Sequence, residues 1–323
     1  MEPLAKDRLR EIGKGNCGSV WASSEANFCF KREDGGPGRS LHNDYIMHKK
    51  VLETLPAEAT VQVPNCHEYI GQDDELWWRN QLHRFPKGRQ PCNVLITERV
   101  PAFSKPVREK LIDLFCPETG KAVIYTSKAD EDCIVRPYLG RRRQQRQLVA
   151  KSRLKAFGLR NYPLHIDQIQ ELNLDSAIYA TIMADTLAQL FWIAHVDAND
   201  LEFVLAPPSS SKSDNVAIME SEILGKHVLW ILDFDLCRDM SMDEDGVKQA
   251  VNAFLGNDPY YPRPDRDYCK ELWTTFKNRF LETSQRILVK GPEALLPLLW
   301  VQLVEEKCIE LALSRVSANS TSS

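Results

Sequence analysis

Residues Leu174, Ile178, Ile182, Leu187, Leu190, Phe191 and Ile193 recur at helical spacing. The chain then turns at once into acid, His195-Val196-Asp197-Ala198-Asn199-Asp200-Leu201-Glu202-Phe203. Apolar side chains every three to four residues make one helical stripe that has to be buried. A helix this apolar belongs to a core, so it carries the acidic segment inward rather than out to a surface loop. A second run repeats the pattern: Val228-Leu229-Trp230-Ile231-Leu232 reads as a buried strand and ends in Asp233-Phe234-Asp235. Carboxylates delivered to the ends of core elements need partners, because an unpaired buried charge is costly. The two segments therefore predict one interior site built from Asp197, Asp200, Glu202, Asp233 and Asp235.

With 323 residues, 43% of them hydrophobic, the chain can bury a large core in one domain or two lobes. A net charge of −4 gives no global signature for DNA or RNA, so any polyanion contact must be local. No apolar run approaches the roughly 20 residues needed to span a bilayer. The first residues, Met1-Glu2-Pro3-Leu4-Ala5-Lys6, lack the apolar core of a signal peptide. A cytoplasmic protein without a membrane partner is the expectation. Nine cysteines form no C-x-x-C pair, and their odd number suits reduced thiols better than disulfides or a metal site.

The order of motifs resembles that of protein-kinase-like enzymes. Ile12-Gly13-Lys14-Gly15-Asn16-Cys17-Gly18-Ser19-Val20 fits the phosphate-covering loop, with Gly13, Gly15 and Gly18 as its glycines, and Phe28-Cys29-Phe30-Lys31 fits the strand whose Lys follows it. Residues 41–55 read as a helix offering Asp44 or Glu53 to Lys31, and residues 93–100 as a strand. The two acidic segments then resemble the catalytic and metal-binding loops. Glu202, five residues after Asp197, stands where a kinase has Asn, and Asp235 stands where it has Gly. Both departures add negative charge. The expected fold is α+β, kinase-like and two-lobed. It has a small β-rich N-terminal lobe over 1–100, a basic insertion over 101–165 and a helical C-terminal lobe over 166–313, followed by a disordered tail over 314–323.

Five gathered carboxylates cannot all stay ionised without compensation. Divalent metal with ATP, a clamped guanidinium or amine, or exposure to solvent would each relieve them. His195 is expected to orient its loop from the core rather than act as a base. A local basic footprint appears in the segment from Leu139 to Lys155, which carries Arg141, Arg142, Arg143, Arg146, Lys151, Arg153 and Lys155 and no acid. Read as a helix, it aligns several of these cations into a stripe suited to phosphates.

Further motifs, Arg136-Pro137-Tyr138-Leu139-Gly140, Leu159-Arg160-Asn161-Tyr162-Pro163-Leu164 and Asn257-Asp258-Pro259-Tyr260-Tyr261-Pro262-Arg263-Pro264, complete a set running through most of the chain. Together they resemble a fungal family, often labelled as zinc-finger proteins, of arginine-containing cyclodipeptide synthases. That resemblance implies a secondary-metabolite enzyme joining arginine and a second amino acid from two aminoacyl-tRNAs, arginyl-tRNA among them, with no cofactor. It implies Asp197, Asp200 and Glu202 in catalysis, and Asp233, Asp235, Lys31, Gly13, Gly15 and Gly18 at the substrate. Residues Arg141, Arg142, Arg143, Arg146, Lys151, Arg153 and Lys155 would meet tRNA. The alternatives are a kinase-like phosphotransferase using Lys31, Asp197 and Asp233 with Mg2+ and ATP, or a non-catalytic binding module.

Overall fold

Short strands joined by tight turns open the chain of this computed structural model, which describes residues 8–143, 157–209, 215–257 and 259–320. The first three are β1 (Arg10–Lys14), β2 (Ser19–Ala22) and β3 (Phe28–Arg32), followed by α1 (Leu41–Thr54), β4 (Cys66–Ile70), α2 (Glu75–Gln81) and β5 (Val94–Glu98). The strands form one antiparallel sheet in the order β1-β2-β3-β5-β4. In the turn between β1 and β2, Gly18 lies so close to the end of β3 that a Cβ on it would be 1.9 Å from the Arg32 carbonyl oxygen. Only glycine fits there. Ser40 caps α1 by accepting from the Asn43 N–H at 3.1 Å. The buried face of α1 consists of Leu41, Asp44, Met47, His48 and Val51, so a carboxylate stands inside an otherwise apolar stripe.

The rest of the chain adds α3 (Lys105–Phe115), α4 (Glu118–Tyr125), β6 (Val135–Tyr138), β7 (Tyr162–His165) and α5 (Ile166–Glu171). After them come α6 (Ser176–Trp192), β8 (Glu202–Ala206), β9 (Met219–Ser221), β10 (Gly225–Leu232), α7 (Glu244–Gly256), α8 (Lys270–Ile287) and α9 (Leu296–Ser320). A second sheet has the order β7-β6-β8-β10-β9, with β6 and β7 parallel. The apolar stripe read from residues 174–194 is α6, buried on nearly every side after its Asp175 cap. It packs on α8 and α9 through Phe191, Phe280 and Trp300, whose rings lie 4.4–6.1 Å apart. Each such buried ring contributes about 2–3 kcal/mol by area. Gln62 ties the two sheets together: its N–H donates to the Leu229 carbonyl at 2.8 Å, and its carbonyl accepts from Ile231 at 3.0 Å.

The fold is therefore α+β, with two five-stranded sheets and nine α-helices among the described residues. Two expected boundaries do not hold. Residues 101–165 are no insertion, because they supply β6 and β7 to the second sheet. The predicted tail is instead helical as far as Ser320, since α9, anchored by buried Trp300, Val304 and Cys308, simply continues. No helix among the described residues is long and apolar enough to cross a membrane.

Candidate functional site

A cleft of about 370 Å³ opens between the glycine turn of the first sheet and the carboxyl end of β10. Antiparallel register explains its floor. Leu232 pairs with Glu202, so the start of β8 and the end of β10 coincide, and Glu202 and Asp233 become neighbours. From the other side β3 extends Lys31, and its Nζ lies 2.5 Å from both Asp233 Oδ1 and Asp44 Oδ2. Of the two acids that the first helix offers, Asp44 is the partner, because it is on the buried face. Burial works against the Lys31 charge, but Asp233 and Asp44 more than offset it and hold the ammonium charged. Burial also opposes the charge on Asp233, and Lys31 overcomes it and holds that carboxyl below its ordinary range.

Among the described residues six non-glycine residues adopt left-handed φ, and four of them lie in or beside the acidic segments: His195 (52°), Ala198 (55°), Asp200 (59°) and Asp233 (68°). Such conformations cost energy, and they persist where surrounding structure over-determines them. Ala198 has no polar side chain to ease its strain.

Arg39, just after the Gly35-Gly36-Pro37-Gly38 turn, reaches into the cleft. Its Nη1 donates to Asp200 Oδ2 at 2.5 Å and to Asp235 Oδ1 at 3.1 Å. Arg136 on β6 donates from Nη2 to Glu202 Oε2 at 2.5 Å. Burial pushes Glu202 up to about 7; Arg136 opposes the rise and nearby Asp233 adds to it. Burial and then Asp233 raise Asp235 to about 6.

A carboxyl raised on folding contributes stability below its ordinary range, and this contribution is lost as pH climbs to the folded value. Glu202→Gln is therefore expected to gain stability relative to the natural chain between pH 5 and 8, by about 2 kcal/mol. Buried His48 and His227 and half-buried His165, whose charged forms burial disfavours, pull the other way in both proteins and cancel in the difference. Urea denaturation across that range measures it, and a pH-independent difference would refute the assignment.

The other expected residues divide. Gly13, Gly15, Gly18, Asp200, Glu202 and Asp233 all line the cleft. Asp197 does not. Its Oδ1 accepts from the N–H groups of Asn199 (3.1 Å) and Arg238 (2.9 Å) and its Oδ2 from Gln249 Nε2 (2.8 Å), and it faces a separate groove beside α7. The left-handed residues Ala198 and Asp200 lie between Asp197 and Glu202, and the segment divides between two faces. His195 is exposed rather than packed in the core, and its carbonyl accepts from Met240 N at 2.9 Å and Lys50 Nζ at 3.4 Å. Arg143 is already paired with Asp167 and Glu171, and Arg142 bonds Gln170 and lies over the Tyr268 ring. Arg141 to Arg143 are not helical, and Arg146, Lys151, Arg153 and Lys155 fall outside the described residues. Arg39 and Arg136 were missed, since nothing local in the sequence pairs them with acids 66 to 196 residues away.

A family model described as "Zinc finger protein" matches residues 229–292, about a fifth of the chain, from β10 to just beyond α8. No curated protein matches the chain. The likeness to arginine-containing cyclodipeptide synthases is thereby corrected: what the chain matches is that family model, and no such synthase is among the matches. The description itself does not fit the residues. The matched stretch holds two cysteines, Cys237 and Cys269, and no histidine, whereas structural zinc takes four ligands. Both thiols are buried, donating to the carbonyls of Asn199 and Leu139. Among the described residues no three His, Cys, Asp or Glu side chains gather as a metal site.

Proposed function

We propose that the cleft is an acyl-transfer site in which the amine of one aminoacyl-tRNA attacks the ester of another, closing a cyclic dipeptide that contains arginine. One observation carries this reading: Glu202, raised to about 7, lines a cleft in which Asp200, with buried Asp235 behind it, already grips a guanidinium, that of Arg39. A base poised near neutral pH suits an amine that must lose its proton on attack. Five carboxylates, Asp44, Asp200, Glu202, Asp233 and Asp235, surround three cations, Lys31, Arg39 and Arg136, and this acid surplus favours a cationic ligand.

In each aminolysis the C–N bond forms as the ester C–O bond breaks. Glu202 takes the proton the amine loses and passes it to the departing tRNA ribose oxygen, which leaves as a hydroxyl; a second, intramolecular aminolysis of the dipeptidyl ester closes the ring. The ester is already activated, so no ATP is consumed. The cations of residues 141–155 suit a tRNA backbone. The strand order of the first sheet and the Lys31–Asp44 pair support a kinase-like, two-lobed ancestry for the scaffold.

A second reading, a phosphotransferase using Mg2+ and ATP, draws on the same Lys31 pairing with Asp44 and Asp233. The orientation of Asp197 away from the cleft counts against it. The two readings separate in one experiment. Purified protein is given charged tRNAs, arginyl-tRNA included, with and without ATP. An arginine diketopiperazine formed without ATP is the expected product by mass spectrometry. Phosphoryl transfer from ATP without diketopiperazine would establish the second reading instead.

A further inference from the structure

Two motifs, Arg136-Pro137-Tyr138-Leu139-Gly140 and Pro259-Tyr260-Tyr261, are joined main chain to main chain. Leu139 N–H donates to the Tyr260 carbonyl at 3.1 Å and Gly140 N–H to the Pro259 carbonyl at 3.0 Å. The approach is so close that a Cβ on Gly140 would lie 2.1 Å from the Tyr261 carbonyl oxygen. The rings of Tyr138 and Tyr260 meet edge to face at 5.3 Å. This junction sets Arg136 Nη2 2.5 Å from Glu202 Oε2 and packs the Tyr260 ring against Phe203, the residue after Glu202, at 6.1 Å.

Both residues carry a buried donor with no acceptor among the described residues: Arg136 Nε and the Tyr260 hydroxyl. Tyr260 is only 4% exposed. Buried donors without partners are uncommon in folded proteins, and two beside one acid call for an explanation. Burial, and next the charge of Glu202, keep the Tyr260 hydroxyl firmly protonated and therefore a donor at every working pH.

We infer that Arg136 and Tyr260 are positioning residues for Glu202, one fixing its carboxylate toward the cleft and the other held ready to donate to it as its charge changes. The inference rests on the acyl-transfer reading for its purpose, though the pairing itself does not need that reading. The other ionisable groups around Glu202 are Lys31 on β3, Tyr138 on β6, Asp200 ahead of β8 and Asp233 after β10. Asp200 and Asp233 disfavour its ionised form and Lys31 favours it. Arg136 and Tyr260 are the supports that can be removed without touching the Lys31 pair.

The test is a carbon-13 carboxyl titration of Glu202 by NMR in the natural chain and in Tyr260→Phe, Arg136→Gln and Arg136→Lys, with pH–rate profiles alongside. Losing a donor or a cation disfavours the ionised form, so the midpoint must rise. The expected rise is about half a unit in Tyr260→Phe and more than about one unit in Arg136→Gln, with Arg136→Lys restoring most of it. The acid limb of kcat should move by the same amounts while KM stays within about threefold. Should Arg136→Gln fail to fold, Tyr260→Phe decides alone, because it removes one oxygen that has no partner. An unmoved Glu202 midpoint overturns the inference whether or not product forms. Shifted midpoints in a protein that makes no cyclic dipeptide uphold the pairing and overturn the acyl-transfer reading instead.

Discussion

Lys31→Met is expected to destabilise the folded chain by about 3–5 kcal/mol at pH 8, read as a lower urea midpoint. The size follows from what the substitution leaves behind. The Lys31 ammonium is the shared partner of Asp44, whose side chain is 4% exposed, and Asp233, 26% exposed. Methionine fills the volume but returns two carboxylates to a poorly solvated interior with their cation gone. Asp44 Oδ1 would retain the Phe234 N–H at 3.2 Å, which offsets only part of the loss. Protonation relieves the strain, so the deficit should shrink towards pH 5. Adding Asp44→Asn should likewise cost less in the Lys31→Met background than in the natural one. A loss under about 1 kcal/mol would mean that water reaches these acids freely and that the pair is ornamental.

Glu202→Gln is expected to slow turnover by 10²- to 10⁴-fold, in keeping with the loss of a positioned general base. The amide keeps the volume, and its oxygen still accepts from Arg136, so folding should survive while proton transfer does not. Steady-state kinetics with charged tRNA measures the effect, with arginyl-tRNA affinity as the control. Asp197→Asn provides the contrast. Its three donors serve the loop's shape, so that variant should lose stability and keep the greater part of its turnover. A Glu202 variant as active as the natural protein would move the chemistry to another group.

The elements that carry the site were largely legible. The apolar stripe now seen as α6, the strand ending in Asp233 and the Gly13–Gly18 turn all follow from periodicity and from residues with few alternatives. What escaped depends on geometry that spacing does not encode. Counting residues from Asp197 to Glu202 suggests one cluster, yet the left-handed residues Ala198 and Asp200 between them leave Asp197 on the far side. Arg39 and Arg136 were invisible because any Arg can meet any acid once a chain is long enough, and only the fold selects which. Helical periodicity offered both Asp44 and Glu53, and burial of the Asp44 face made the choice. Residues 101–165 looked like an insertion for their charge, while their short strands, four residues each, gave too little alternation to read. The family likeness drawn from the motifs did not survive comparison.

The Gln62 bridge has a mechanical consequence. Its two main-chain hydrogen bonds to β10 stand close to β4, the edge of the first sheet opposite β1. At the far edge the sheets are fastened differently, by side-chain ion pairs from Arg10 to Asp132 and from Arg160 to Glu11. The two sheets are thus joined by main chain at one edge and by charge at the other. Salt weakens the partly exposed ion pairs and leaves the main-chain bonds alone, so the two edges should differ in their response to ionic strength.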